Sequence, residues 1–459
     1  MNHFNKVAIV ILTYDNLEYN KNCLDSIRKY TESGTYEIII VDNHSTDGTR
    51  EWLKAQTDIK LQLNDENVGF PKGCNLGIAL ASEESDILLL NNDTVVTPRW
   101  LENLQISLYS DEKIGAVGAI SNHNENWQGA DFYYETLDQM LPLAEKNNIS
   151  DSRRWEEKLI LIGYCVLVKR SVLNEIGTLD EAYSPGYVED NDLSLRIISA
   201  GYKLMLCHDS FIHHYLGTKF RKDLDRFYPV LYANREKFKN KWGFHTAVSD
   251  EIRFAELRIL NEPDKDKKIN VLDVGCGLGA TLLKVKYDYP NAVLHGVEPD
   301  IHIAAITKHI AQTSVKPIDT FPLDFPENYF DYIIIGNHLE TVNQPDQFLL
   351  ELKKYLKDGG WIIGTFQNIM HYSVIRNILS GNWLYSEKDV LNKSNRTFYT
   401  ENDITTLFTR CGYRTPYIFH WFSNPTEQEN LLIQSLCAVG EEKRAYMYTT
   451  YLYSIRFQK

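Results

Sequence analysis

The sequence predicts two α/β domains in tandem, and three observations carry that prediction. Val7 to Leu12 is an unbroken apolar run that stops at Thr13-Tyr14-Asp15-Asn16, the pattern of a strand buried on both faces with a polar loop at its carboxyl end. Similar runs, Glu37 to Val41 and Asp86 to Leu90, alternate with helically spaced segments and also lead into Asp and Asn, which describes a parallel sheet with a cleft along one edge. The pattern restarts at Ile269 to Val274, directly ahead of Gly275-Cys276-Gly277-Leu278-Gly279. A chain of 459 residues is also longer than a single hydrophobic core usually supports.

The chain is 43% hydrophobic and 24% charged, the balance of a soluble globular protein. Its formal net charge of -14 argues against nucleic acid or an anionic membrane as the main partner, since both require a basic footprint. The 7 cysteines are scattered and include no C-x-x-C pair, which fits a reducing compartment and no structural zinc. Met1 to Lys6 leads straight into the first apolar run, and the longest such run, Leu159 to Val168, is interrupted by Gly163 and Tyr164. Neither is long enough for a secretory signal or a membrane span, so a cytoplasmic protein without a transmembrane segment is expected.

In chain order, Cys23, Leu24, Ile27 and Tyr30 sit at helical spacing after the first strand, and the second strand ends in Asp42-Asn43-His44-Ser45-Thr46-Asp47-Gly48. A short third strand near Lys60 to Leu63 precedes Asn67-Val68-Gly69-Phe70; Gly73 to Ala81 reads as a helix and Asp86 to Leu90 as the fourth strand. Asn91-Asn92-Asp93 closes that strand, and Glu189-Asp190-Asn191-Asp192 opens a later helical stretch. A carboxylate at the end of a sheet strand can hold Mg2+ or Mn2+ against a diphosphate, because these ions favour oxygen ligands and keep positions open for phosphate. The second cluster then supplies a base. Taken singly, the clusters read as an Asx turn and as a helix N-cap with Asp192 and Arg196 paired one turn apart. Asn122 to Trp155 is polar and aromatic without a clear period.

The segments at Thr13 to Asn16, Val41 to Gly48, Asn67 to Phe70, Leu90 to Thr94 and Glu189 to Leu193 follow the order and spacing of family-2 glycosyltransferases. Residues 7 to 220 resemble that family and its GT-A fold. The resemblance implies that Thr13, Tyr14 and Asp42 hold uridine, that Asn67, Gly69 and Asn92 lie along the nucleotide sugar, and that Gly163 lies beneath the sugar. Asp93 matches the last Asp of the family's D-x-D metal motif, with Asn91 in place of the first. Ser210 to Tyr215 resembles the segment that supplies a histidine to the same ion. Adjacent strand residues face opposite ways, so at most one of His213 and His214 faces the cleft; His214 is favoured for the metal, with His213 packed or hydrogen-bonded. Asp190 matches the family's base, Glu189 an orienting carboxylate and Asp192 a helix cap. In such enzymes an insertion like Asn122 to Trp155 lies over the cleft and shapes acceptor binding.

The carboxyl half places Asp273 ahead of its glycine loop and Glu298 at the end of its second strand, Ala292 to Val297. Glycines allow close backbone approach to a nucleotide, and an acid there can take ribose hydroxyls. That pattern alone does not separate a nicotinamide cofactor from S-adenosylmethionine (SAM). With Tyr329 to Ile334 and Leu356 to Trp361, residues 269 to 415 resemble class I methyltransferases. The resemblance implies a SAM site at Asp273, Gly275, Gly277, Gly279 and Glu298. Ile318-Asp319 and Glu340-Thr341-Val342 depart from the family's pattern. The expected limits are 1–245 for a GT-A domain, 246–268 for a charged linker and 269–459 for a methyltransferase-like domain.

The expected protein is an inverting, Mg2+- or Mn2+-dependent glycosyltransferase that moves a sugar from a nucleotide-sugar donor. On family frequency the donor is UDP-GlcNAc, and the acceptor is a hydroxyl on a bacterial surface protein such as flagellin. The second domain binds SAM and methylates the glycan or product. The alternative is transfer onto a surface polysaccharide, beside a degenerate methyltransferase fold. A non-catalytic nucleotide-sugar scaffold is a further alternative that Asp93 and Asp190 oppose, and a nicotinamide-dependent second domain is another.

Overall fold

The computed structural model describes residues 4–215, 224–246, 251–385, 390–439 and 445–459. The last residues of the expected glycosyltransferase resemblance, 216–220, lie outside them. The chain divides into two compact units, Met1–Asp250 and Glu251–Lys459. No helix among the described residues is long and apolar enough to cross a membrane.

In the first unit, β1 (Val7–Thr13), β2 (Tyr36–Asp42), β3 (Ile59–Leu63) and β4 (Asp86–Asn91) pair in parallel. Helices α1 (Leu17–Tyr30), α2 (Thr49–Lys54) and α3 (Phe70–Leu80) connect them. There follow β5 (Thr94–Val96), α4 (Trp100–Leu108), β6 (Ile114–Ser121), α5 (Leu137–Asn147), β7 (Trp155–Lys158) and β8 (Cys165–Val168). The unit closes with α6 (Arg170–Ile176), α7 (Glu189–Ser199), β9 (Lys203–His214) and α8 (Leu224–Trp242). The strand order is β3-β2-β1-β4-β8-β6-β9-β5, with β7 beside β9.

The apolar runs become the centre of this sheet because every residue from Val7 to Ile11 and from Ile87 to Leu90 is buried. One face of β1, carrying Val7, Ile9 and Ile11, packs with Cys23, Leu24 and Ile27 of α1. The connections leave β1 toward β2 on one side and return to β4 on the other, so the order reverses between the carboxyl ends of β1 and β4. Open α/β sheets bind ligands at such a reversal. Within the stretch that showed no period, α5 forms on a Thr136 cap that accepts from Gln139 N, with Met140 and Ala144 buried. Pro142 inside this helix, a residue that ordinarily ends one, hid it from a reading of periodicity.

In the second unit, α9 (Phe254–Leu257) precedes β10 (Asn270–Val274), α10 (Ala280–Asp288), β11 (Val293–Val297), α11 (Ile301–Thr307) and β12 (Gln312–Ser314). Then come β13 (Phe330–Ile334), α12 (Pro345–Tyr355), β14 (Leu356–Gln367), β15 (Arg414–Phe422) and β16 (Thr450–Gln458). The order is β12-β11-β10-β13-β14-β16-β15, with β16 antiparallel to both neighbours. Here the reversal falls between β10 and β13. Ile259 and Leu260, inside the expected linker, pack with Val271, Leu282 and Val285, so this part of the segment belongs to the second core.

Candidate functional site

The first acidic cluster lies at the strand-order reversal of the first unit. Asn92 Nδ2 donates to Thr13 Oγ1 (3.2 Å) and Asn20 Oδ1 (3.0 Å), tying the end of β4 to the end of β1. Asp93 is buried with Oδ1 3.1 Å from His214 Nε2, because β5 and β9 pair antiparallel with Thr94 opposite His214. His213 turns instead to the Tyr134 hydroxyl, 2.5 Å from its Nδ1. Burial beside His123 and His214 pushes its pKa down to about 4. Among the described residues no group of three or more His, Cys, Asp or Glu side chains encloses an ion. Asp93 and His214 are one carboxylate and one imidazole, two donors of a kind that fits a divalent ion such as Mn2+.

Asp42, at the end of β2, is fully buried. Its Oδ2 accepts from Ser45 N (3.2 Å) and pairs with Arg50 Nε (3.4 Å), while Oδ1 has no hydrogen-bond partner. Tyr14 is half exposed. Asn67 Oδ1 accepts from Gly69 N (3.0 Å) and Asn43 Nδ2 (3.2 Å), and Asn64 Nδ2 donates to Asn43 Oδ1 (2.9 Å). Asn43 and Asn64 were missed in the sequence, where an Asn after a strand looks like any turn residue. Gly69 has φ +85°, and a Cβ there would stand 2.8 Å from Pro185 Cα. A side chain would therefore push the loop off the segment that leads into the second cluster.

That cluster opens α7. Tyr187 and Val188 ahead of it have φ of +74° and +78°, a region that bulky and β-branched residues rarely enter and that costs on the order of 1–3 kcal/mol each. Gly163 N donates to Asp190 Oδ2 (3.4 Å), and the carbonyl of the next residue, Tyr164, accepts from Asn91 N (2.9 Å). Two successive residues thus join the acidic clusters. Glu189 is buried with Oε2 unpartnered, and burial together with the Asp190 charge pushes its pKa well above the carboxylate range. Asp192 does not cap the helix as expected. It lies a turn inside α7 and is fully buried, where Oδ2 pairs with Arg196 (2.8 Å) and Oδ1 accepts from Trp242 Nε1 (2.9 Å) and Lys241 Nζ (2.7 Å).

In the second unit, Gly275, Gly277 and Gly279 all have positive φ, and a Cβ on Gly275 would overlap the His338 ring. Glu298 receives Gly277 N on Oε2 (2.9 Å) and Asp300 N on Oε1 (2.9 Å). Burial raises its pKa and that of Asp273. Asp273 Oδ1 pairs with Arg253, and its Oδ2 is buried without a hydrogen-bond partner. Burial and the Arg253 charge push the His338 pKa down to about 4. Arg253 and His338 carried no motif in the sequence. The bare glycine backbone and the unpartnered Asp273 oxygen fit a cofactor that carries an ammonium group and a ribose.

Residues 8–177 match the family described as Glycosyl transferase family 2, and residues 245–415 match one described as Methyltransferase domain. Glycosyltransferase AglE of Haloferax volcanii is 26% identical over 208 residues, which cover 44% of this chain and 64% of that protein, less than two thirds of its length. The low-salt glycan biosynthesis hexosyltransferase Agl10 of the same organism is 26% identical over 265 residues, covering 55% of this chain and 81% of that protein. Among solved structures, the mannosyltransferase PcManGT of Pyrobaculum calidifontis, in complex with GDP-Man and Mn2+, is 20% identical, covers 51% of this chain and 70% of that one, and has a TM-score of 0.36. The chain therefore joins a family-2 glycosyltransferase domain at its N-terminus to a methyltransferase domain at its C-terminus.

Proposed function

We propose that the first unit is an inverting glycosyltransferase that passes a sugar from a nucleoside diphosphate to a hydroxyl of a growing surface glycan. The observation that carries the reading is the Gly163-Tyr164 link, which sets the Asp190 carboxylate beside the strand end bearing Asn91 and Asp93. The unpartnered Asp42 Oδ1 suits an imide N–H such as that of uracil, which favours a UDP-sugar, and UDP-GlcNAc is the first to try on family frequency. The glycan-building role in the name of one relative favours a glycan over flagellin as acceptor.

Asp93 and His214 would hold the divalent ion, and a bound Mg2+ or Mn2+ would offset charge developing on the departing diphosphate. Asp190 takes the proton of the acceptor hydroxyl while that oxygen bonds to the anomeric carbon. The bond from that carbon to the diphosphate oxygen breaks, its electron pair leaving with the nucleotide, and the configuration inverts. Burial and the Asp190 charge raise the Glu189 pKa, which favours the negative charge of this neighbouring pair on Asp190. Incubating the protein and Mn2+ with UDP-GlcNAc, UDP-glucose, UDP-galactose, GDP-mannose and dTDP-rhamnose should release UDP preferentially. Equal release of every nucleotide, or none, would count against this reading.

In the second unit, Asp273 and the Gly275–Gly279 loop would hold SAM, with Glu298 on the ribose, and bound SAM would supply a methyl electrophile. Glu298→Ala is expected to weaken SAM binding by roughly 1.5–3 kcal/mol, the range for a hydrogen bond to a charged group. Titration calorimetry with SAM and S-adenosylhomocysteine reads this directly. No heat with either ligand at high protein concentration would leave a methyltransferase fold that has lost its cofactor.

A further inference from the structure

We infer that Asn234, on α8 and beyond the matched residues 8–177, is the positioning residue that holds the Asp190 base in place; this rests on reading Asp190 as that base. Asn234 is buried. Its Nδ2 points at three carbonyls of the loop ahead of α7: Tyr183 O (2.6 Å), Gly186 O (2.7 Å) and Tyr187 O (3.2 Å). The orientation of the amide is fixed from its other side, where Oδ1 accepts from Lys237 Nζ (2.9 Å), which also donates to Ala182 O (2.6 Å). An ammonium has only donors, so the atom facing it must be the amide oxygen.

The rest of the same helix face grips the same segment. Phe227 packs edge-on against Tyr187 with ring centroids 4.9 Å apart. Lys241 pairs with Asp180 and Asp192 at 2.7 Å each, and Trp242 donates to Asp192. Residues 227, 234, 237 and 241 recur at helical spacing. Between these anchors lie Tyr187 and Val188, both at positive φ. Left to itself a valine leaves that region, and the turn would carry Glu189 and Asp190 with it. The three carbonyls converging on one amide are what oppose that relaxation. Misplacement of a reacting group by about 1 Å can cost on the order of 100-fold in rate.

The test uses the full chain with Mn2+ and whichever of UDP-GlcNAc, UDP-glucose, UDP-galactose, GDP-mannose or dTDP-rhamnose the wild type hydrolyses fastest. Asn234→Asp, which keeps shape and removes both donors, and Asn234→Ala should each lower kcat roughly 10- to 100-fold, with KM for the donor within about twofold. Adding Val188→Gly to Asn234→Ala should recover part of the loss, because glycine adopts positive φ without strain. The Asn234 effect should also vanish in the Asp190→Asn background, as expected of residues acting through one group. A merely structural asparagine would move neither the rescue nor the non-additivity. Wild-type turnover in both Asn234 variants, an undiminished effect in the Asp190→Asn background, or loss of nucleotide binding in both variants would overturn the proposal. Failure of the underlying reading looks different: Asp190→Asn itself would then keep wild-type turnover.

Discussion

Asp190→Asn is expected to lower kcat by roughly 100- to 10,000-fold while leaving donor affinity little changed. The substitution keeps the side-chain shape and one acceptor for the N–H groups of Gly163 and Asn191, and it removes the basicity. Its neighbour supplies the control. Burial and the adjacent Asp190 charge raise the Glu189 pKa and favour its neutral form, so Glu189→Gln should cost no more than about 10-fold, below the roughly 100- to 10,000-fold typical of a general acid or base. Steady-state rates of nucleotide release measure both, and the coupling constant of the anomeric proton in the product reads inversion by NMR. Wild-type turnover in Asp190→Asn would pass the role of base to another group. A retained configuration would exclude single displacement whatever the variants did.

The sheet cores were legible because their strands are buried on both faces and so read as unbroken apolar runs. Val7 to Ile11, Ile38 to Val41 and Ile87 to Leu90 needed no partner information to be recognised, and the run Val271 to Val274 is interrupted only by Asp273. Thr13, Asp42, Asp93 and Glu298 were legible for a related reason: they sit at or just past strand ends, and a parallel sheet collects its strand ends on one edge, whereas Glu189 and Asp190 open a helix and stood out as an acidic run. What stayed hidden depends on distant pairings. Asn43, Asn64, Asn234 and Arg253 act through hydrogen bonds to residues 20 or more positions away, and an isolated Asn or Arg carries no period or spacing that would reveal this. Asp192 was misread as a cap because capping and ion pairing use the same residue in the same first turn. The start of α7 at Glu189 decides between them by putting Asp192 opposite Arg196, and α8 adds Lys241 and Trp242 on the other carboxylate oxygen.

Removing the Asp93 carboxylate should be as damaging as removing the base. Asp93→Ala leaves His214, at the end of β9, as the remaining proposed ligand, and transfer should fall by roughly 1,000-fold, the upper range for losing one preorganised stabiliser of developing negative charge. EDTA should inhibit the wild type, and Mn2+ should restore it. Activity alone would not distinguish a lost ligand from a collapsed strand end, since Asp93 is also buried against His214. Thermal unfolding makes that distinction. An ion that binds only the folded state raises its stability by RT ln(1 + [L]/Kd), about 2.7 kcal/mol when the ion is at 100 times Kd. Mn2+ with UDP should therefore raise the Tm of the wild type and leave that of Asp93→Ala unchanged. The variant without ions should still melt cooperatively. Full activity in EDTA, with a Tm indifferent to Mn2+, would remove the ion from the mechanism. Stabilisation of the leaving diphosphate would then fall to side chains and oriented backbone N–H groups around the cleft.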